Sequence, residues 1–264
     1  MNQETKEKLA GSLTAETTEL LPYLPYLLQD FWELGSDPGV MVRLIERYVE
    51  LPEGAGILDL ACGKGSVAVR IADKLRVKVK GIDLLSDFIE FAAEKAKEYG
   101  VGDLCEFVVG DINEAVESER GYDAVILGAV GCNVLGGSGK TLDKLKKTIK
   151  PGGYILIDES YLPDDIGKED VLYGHHEYLT EGQWKALFKE VGLEIAETVV
   201  DFEDSENLDS VSGMAFITAR ANELIEKYPN KKEIFEGYVR SQRNEYADLD
   251  SNLAGVVWIL KKID

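Results

Sequence analysis

Three aspartates and two glycines carry the first chemical signal in this chain. Asp59 lies near the end of the apolar run Ile57-Leu58-Asp59-Leu60, and Ala61-Cys62-Gly63-Lys64-Gly65-Ser66 follows as a glycine turn. Asp83 closes the next apolar run after Gly81-Ile82, and Asp111 follows Phe107-Val108-Val109-Gly110. Gly63 and Gly65 permit a tight turn that brings main-chain N–H groups close to a ligand. Val67 to Leu75 has apolar residues at helical spacing, so the positive end of a helix points at the same spot. A strand, a glycine turn and a helix start make a nucleotide-cofactor site in open α/β sheets.

Gly63-Lys64-Gly65-Ser66-Val67-Ala68 formally fits the dinucleotide fingerprint GxGxxG/A, a short pattern of low specificity. Asp59 argues against a pyrophosphate, because a carboxylate there repels a diphosphate and suits a cation. Acids close to three successive strand ends favour a cofactor with a ribose, an adenine amino group and a positive charge. S-adenosylmethionine has all three and no phosphate.

Other residue types could act on a second substrate. His175 and His176, the only histidines, sit in the loop before a helix expected over Thr180 to Val191. Either imidazole suits proton removal near neutral pH, and a surface loop also accounts for both. Adjacent histidines do not converge on a metal, no cysteine lies close, and no metal is expected. Cys132, in the small-residue stretch Gly128 to Asn133, reads as a pocket wall rather than a nucleophile, since no histidine is near in sequence. Asp158, Glu159 and Tyr161 end the fifth strand, where the acids could hold a substrate ammonium, accept a proton or cap loops. Tyr23, Tyr26 and Trp32 could cover a substrate or pack an N-terminal helix pair.

At this point the chain resembles the class I S-adenosylmethionine-dependent methyltransferases, over roughly residues 40 to 200. Asp59 to Gly65 is similar to the family's cofactor loop, with Ala61 where a glycine is more usual. Gly81-Ile82-Asp83 is similar to its ribose-binding acid and Gly110-Asp111 to the acid near the adenine amino group. Tyr122 to Gly128 resembles its fourth strand, and Lys150-Pro151-Gly152-Gly153 the turn into the fifth. The resemblance implies that Asp59 orients the methionyl ammonium and that Ala61, Cys62, Gly63 and Gly65 cradle the methionine. It implies that Asp83 takes the ribose hydroxyls, with Leu84 against one adenine face. Asp111 would then accept from the adenine amino group, with Gly110 beside it and Ile112 on the other face, and Gly128 would sit by the sulfonium. The product would be S-adenosylhomocysteine, and the acceptor a small molecule methylated by direct in-line transfer. A nicotinamide-dependent oxidoreductase and a non-catalytic S-adenosylmethionine-binding module stand as rival readings.

The elements that must position these residues read as α/β. A doubly wound, mostly parallel seven-stranded sheet is expected, with helices on both faces, an N-terminal helical cover and a helical insertion between the last two strands. Residues 1–51 would be the helical cap and 52–200 the cofactor-binding core. Residues 201–264 would hold the insertion and the final strand. Residues 1–15 read as a frayed polar lead-in. A short helix is expected over Leu27 to Leu34, because Pro22 and Pro25 break the stretch before it. Asp37-Pro38 starts the next helix as N-cap and first residue. Ser86 is expected to cap the helix that runs to Tyr99, and Met214 to Tyr228 and Lys232 to Leu249 read as two more.

Composition bounds the function. The chain has 264 residues, 45% of them hydrophobic, enough for one sizeable core, or one core plus a helical subdomain. Its formal charge of −20 opposes binding to a phosphate backbone or an anionic membrane, so neither partner is expected. The same charge serves solubility, and it would also suit a cationic substrate. No apolar run reaches the ~20 residues that span a bilayer, and Met1 to Lys8 lacks a signal-peptide core. Three cysteines without metal spacing fit a reducing cytoplasm. Oligomeric state is not legible.

Overall fold

In the computed structural model, which describes residues 1–173, 178–200 and 210–263, the apolar runs become strands of one seven-stranded sheet. The strands are β1 (Gly56–Leu60), β2 (Lys78–Asp83), β3 (Cys105–Val109), β4 (Tyr122–Gly128), β5 (Ile149–Tyr161), β6 (Leu193–Val200) and β7 (Ala254–Lys262), in the order β3-β2-β1-β4-β5-β7-β6. Neighbouring strands from β3 through β2, β1 and β4 to β5 pair in parallel. The sheet is nonetheless mixed, because β6 and β7 pair antiparallel. Chain order reverses at β1, between β2 and β4. The carboxyl ends of those strands therefore flank the switch point where open sheets bind ligands.

The chain divides into two compact units. The sheet unit comprises Trp32–Glu159, Glu181–Ser205 and Gly255–Asp264. Its helices are α3 (Pro38–Tyr48), α4 (Ser66–Leu75), α5 (Ser86–Glu98), α6 (Ile112–Ser118), α7 (Ser138–Thr148) and α8 (Glu181–Glu190). Ile57, Ile126, Leu156, Val257 and Ile259 join Val40, Met41, Leu44 and Ile45 of α3 and Val67, Ala68, Ile71 and Ala72 of α4 in one core. Each large aliphatic side chain buried there contributes about 1.5–3 kcal/mol. Trp184 and Phe188 of α8 meet Trp258 of β7 at ring separations of 5.3 and 5.2 Å, packing that helix on the sheet.

The helical unit comprises Met1–Phe31, Ser160–Thr180 and Glu206–Ala254. It holds α1 (Gln3–Ser12), a 3-10 turn over Thr18–Tyr23, α2 (Leu24–Leu27), α9 (Ser210–Lys227) and α10 (Lys232–Ser251). Tyr23 packs edge-on against Tyr228 and Phe235, at 5.5 and 5.1 Å. The Arg220 guanidinium donates to both oxygens of Asp30, at 2.7 and 2.9 Å, and also pairs with Glu223, which in turn accepts the Tyr26 hydroxyl. This unit places α9 and α10 between β6 and β7 in the chain, as the helical spacing predicts.

Three local expectations are corrected. Residues 1–15 are not a frayed lead-in, since Asn2 caps α1 by accepting the Thr5 N–H at 2.8 Å, and Leu9 and Ala10 are buried. The helix expected over Leu27 to Leu34 is absent; its place is taken upstream by the 3-10 turn and α2. Pro25 falls in the first turn of α2, where no N–H is needed, and Pro22 sits inside the 3-10 turn, so no continuous helix runs through this stretch, as the prolines predict. Ser86 is the first residue of α5 rather than its cap, and Leu85 holds the cap position without a side-chain bond.

Candidate active site

β1 ends on Leu60, and the chain turns back at once through Ala61 to Gly65 before α4 begins. Ala61, Gly63 and Gly65 all have left-handed backbone, with φ of +56°, +53° and +73°. At Gly65 there is no alternative to glycine, because a Cβ would stand 2.6 Å from the Ala92 Cβ and 3.0 Å from the Phe107 ring. Ala61 pays the L-residue cost of that conformation, which explains why the related motif favours glycine there. The turn is locked in place when the Cys62 N–H donates to the Ile82 carbonyl at 3.1 Å and the Gly65 N–H to the Cys62 carbonyl at 2.9 Å.

Asp83, at the end of β2, holds the neighbouring loops together. Its Oδ2 accepts the Gly63 N–H and its Oδ1 the Leu85 N–H, each at 2.9 Å, and its carbonyl accepts the Gly110 N–H at 2.9 Å. Burial raises its carboxyl above the usual range, while backbone donors from Leu85, Gly63 and Leu84 oppose the rise. Each oxygen keeps a lone pair for a further donor. Asp111 caps α6, its Oδ1 accepting the Asn113 N–H at 2.8 Å, and Ile112 is buried as the first residue of that helix. The ends of β1, β2 and β3 thus bring Asp59, Ala61 to Gly65, Asp83, Leu84, Gly110, Asp111 and Ile112 around one strand-end surface.

Asp59 has a different environment. It is 3% exposed, and its Oδ2 has no hydrogen-bond partner. The carboxyl is pushed up to about 8, first by burial and then by the Asp83 charge, against a backbone donor from Ala68. An arriving ammonium would fill the missing partner and relieve both causes; a diphosphate would add repulsion from two buried acids. These residues fit a cationic, phosphate-free nucleoside and do not fit a dinucleotide.

On the other side of β1, Gly128 ends β4 opposite Asp158 of β5. The Gly35-Ser36 stretch lies directly over it, and a Cβ on Gly128 would stand 2.4 Å from the Ser36 Oγ. Burial pushes Asp158 up to about 7, and the Ser36 hydroxyl beside it works the other way without reaching full hydrogen-bond geometry. Glu159 serves the backbone, its Oε1 accepting the Cys132 N–H at 2.7 Å. The Cys132 thiol is buried and held well above its ordinary value by burial and by Glu159, so it is no nucleophile at neutral pH.

The remaining candidates are Trp32, Tyr23, Tyr26, Tyr161 and the two histidines. Trp32 donates its Nε1–H to the Lys64 carbonyl at 3.0 Å and packs on Tyr99, with Arg70 and Lys95 over its ring. Tyr23 and Tyr26 belong to the helical unit, and Tyr161 ends β5 half-buried in the same unit. His175 and His176 lie outside the described residues. Sequence reasoning missed Ser36 and the buried Lys64, whose Nζ lies over the Phe88 and Phe91 rings at 5.6 and 5.0 Å. Ser36 carries no motif, and Lys64 fills a position that the glycine motif leaves open to any residue. Among the described residues no cluster of histidine, cysteine and acids could hold a metal ion.

The family model of the methyltransferase domain matches residues 51–192, more than half of the 264 and all the strands from β1 to β5. The chain belongs to this methyltransferase family. The methyltransferase is 28% identical over 203 residues to YjhP of Escherichia coli (strain K12), an uncharacterized protein, covering 75% of this chain and 79% of that one. It is also similar to a protein-L-isoaspartate O-methyltransferase of Thermococcus onnurineus (strain NA1), 26% identical over 117 residues, 44% of this chain and half of the other. In fold the methyltransferase superposes on an S-adenosylmethionine-dependent methyltransferase of Geobacter sulfurreducens, crystallised with S-adenosyl-L-homocysteine. The TM-score is 0.72 at 22% identity, over 90% of this chain and 96% of the other.

Proposed function

We propose that this methyltransferase binds S-adenosylmethionine at the ends of β1, β2 and β3 and transfers its methyl group to a small-molecule acceptor. The observation that carries the reading is the buried Asp59 Oδ2, left without a partner beside a glycine turn shaped for close approach. When bound, the cofactor supplies an electrophilic methyl group on a sulfonium. Asp59 holds the methionyl ammonium, the Ala61 to Gly65 backbone cradles the methionine, and the free lone pairs of Asp83 take the ribose hydroxyls. Leu84 and Ile112 flank the adenine, and Asp111 accepts from its amino group. Gly128 leaves room beside the reacting carbon. Catalysis then rests on alignment and exclusion of water, so no dedicated base is required for an acceptor already deprotonated.

Residues 52–200 are read as the cofactor-binding part, and the segments 1–51 and 201–264 as the seat of acceptor choice. Tyr23, Tyr26, Trp32, Cys132, Asp158, Glu159 and Tyr161 remain the acceptor-facing candidates, with His175 or His176 as a base where the acceptor keeps its proton. The charge of −20 supports a partner other than nucleic acid or membrane, and three unpaired cysteines support a cytoplasmic setting.

Calorimetry with S-adenosylmethionine, S-adenosylhomocysteine and NAD tests the reading. The first two are expected to bind and NAD is not; NAD binding alone would turn it into an oxidoreductase. Release of S-adenosylhomocysteine with pooled small metabolites separates an enzyme from a module that only holds the cofactor.

A further inference from the structure

A hydroxyl and a carboxyl stand side by side on the sheet face that carries Asp59. Gly128 at the end of β4 is in register with Asp158 of β5, and the Ala129 N–H donates to the Asp158 carbonyl at 3.1 Å. In-register residues of parallel neighbours point to one face about 4.8 Å apart, so the Asp158 side chain rises beside the place a Cβ would take on Gly128. The Ser36 Oγ stands 2.4 Å from that same place. Ile126, the register partner of Asp59, brings its Cγ2 to 3.9 Å from it. Asp59, Gly128, Ser36 and Asp158 therefore share one face within the sheet unit, with Gly128 between the two acids. Ser36 is 7% exposed and its Oγ has no hydrogen-bond partner, an arrangement that is costly while nothing fills it. Asp158 is 9% exposed, and the Ser36 hydroxyl is the one described group that favours its ionised form.

The pair selects its ligand by charge. An ionised Asp158 only accepts, and the Ser36 oxygen can accept as well. Among the described residues no lysine or arginine offsets the charge of Asp59 or Asp158. A carboxylate, thiolate or phenolate arriving here is repelled, and a neutral alcohol leaves the acid uncompensated. A protonated amine brings both the charge and the N–H groups, and one nitrogen can bridge two oxygens so placed. We propose that the methyl acceptor is a primary or secondary amine, held by its nitrogen between the Asp158 carboxylate and the Ser36 hydroxyl. This rests on the cofactor reading above, which sets the reacting carbon beside Gly128. One proton of the bound ammonium passes to Asp158: the N–H bond breaks, its electron pair stays on nitrogen as a free lone pair, and the carboxylate becomes the acid. Burial pushes that carboxyl up to about 7, which suits the exchange near neutral pH without a histidine.

Calorimetry of the full chain with S-adenosylhomocysteine tests the cofactor reading alone. Ligand-observed NMR, with and without that compound, then tests this site with n-butylamine, N-methylbutylamine, phenethylamine and putrescine against n-butanol, butyrate and tetramethylammonium. At least one amine is expected to bind with a Kd of about 1 mM or tighter when S-adenosylhomocysteine is present, and every control at least about tenfold more weakly. Mass spectrometry is expected to find that amine methylated once S-adenosylmethionine is supplied instead. Asp158→Asn is expected to weaken the amine about tenfold or more, as loss of a charge-assisted bond does, and to leave S-adenosylhomocysteine affinity unchanged. Ser36→Ala removes a hydroxyl without a partner and is the control for folding: it is expected to keep Tm or raise it and to weaken the amine several-fold. The proposal is overturned if S-adenosylhomocysteine binds and no amine does, if a control binds as well as the amines, if the bound amine gains no methyl group, or if both variants keep full amine affinity. Amine binding without S-adenosylhomocysteine binding would instead sink the cofactor reading, and the acceptor role with it.

Discussion

Replacing Asp59 by Asn should make the protein more stable and a worse binder at once. The folded carboxyl is raised from 3.8 to about 8, and burial is the larger cause. An acid whose folded value lies above its unfolded one is bound to its proton more tightly in the native state. Its contribution is therefore most favourable below pH ~4, declines as pH rises, and levels off above about 8. At about 1.4 kcal/mol per unit, a difference of about four units sets a ceiling near 5–6 kcal/mol. A higher effective dielectric than that of a dry interior brings the expected loss to about 2–3 kcal/mol. Asn is nearly the same size and carries no titration. Urea unfolding at pH 5 and pH 8.5 should show wild type losing about 2–3 kcal/mol more than Asp59→Asn across that interval. Asp158 titrates in both proteins, so the difference reports Asp59 together with its coupling to Asp83. S-adenosylhomocysteine affinity should fall about tenfold or more, because the ammonium loses a charged partner. A variant less stable than wild type at pH 8.5, or one with the same pH profile, would refute the argument, since either means that Asp59 is already paired in the free protein.

Asp83→Ala removes the acceptor of two backbone N–H groups as well as the ribose partner. It should weaken S-adenosylmethionine binding by about 1–3 kcal/mol in calorimetry and lower Tm, whereas Asp111→Ala should cost mainly the α6 cap, about 1 kcal/mol. Ala61→Gly relieves a left-handed alanine at about 1–2 kcal/mol but adds chain entropy on unfolding, so a net gain of up to about 1 kcal/mol is expected in urea titrations. Gly128→Ala drives a methyl onto the Ser36 hydroxyl and should destabilise by about 1–3 kcal/mol, read by thermal unfolding.

The sheet was legible because its strands are short β-rich runs punctuated by glycine, and the acids at their ends are spaced by whole βα units. What the sequence concealed lies in side chains whose partners are distant or whose backbone is unusual. Nothing about Ala61 announces a φ of +56°, and nothing about Glu159 says that it accepts the Cys132 N–H. Asp83 reads as a ligand acid, yet both its oxygens already bind main chain. The first helix hid because Leu9 and Ala10 are too few to set a period. The 3-10 turn and α2 hid because Pro22 lies inside the one and Pro25 in the first turn of the other, where each reads as a break. Glu245 meets Thr14 across 231 residues, a pairing no local pattern can suggest.

The helical unit is stitched from three separate lengths of chain, with the first five strands running between its first and second parts. No single cut can therefore remove it, and no contiguous piece of the gene can carry it to a relative. Exchanging the unit between relatives would take three coordinated grafts, and a one-segment chimera should yield insoluble material rather than a working hybrid.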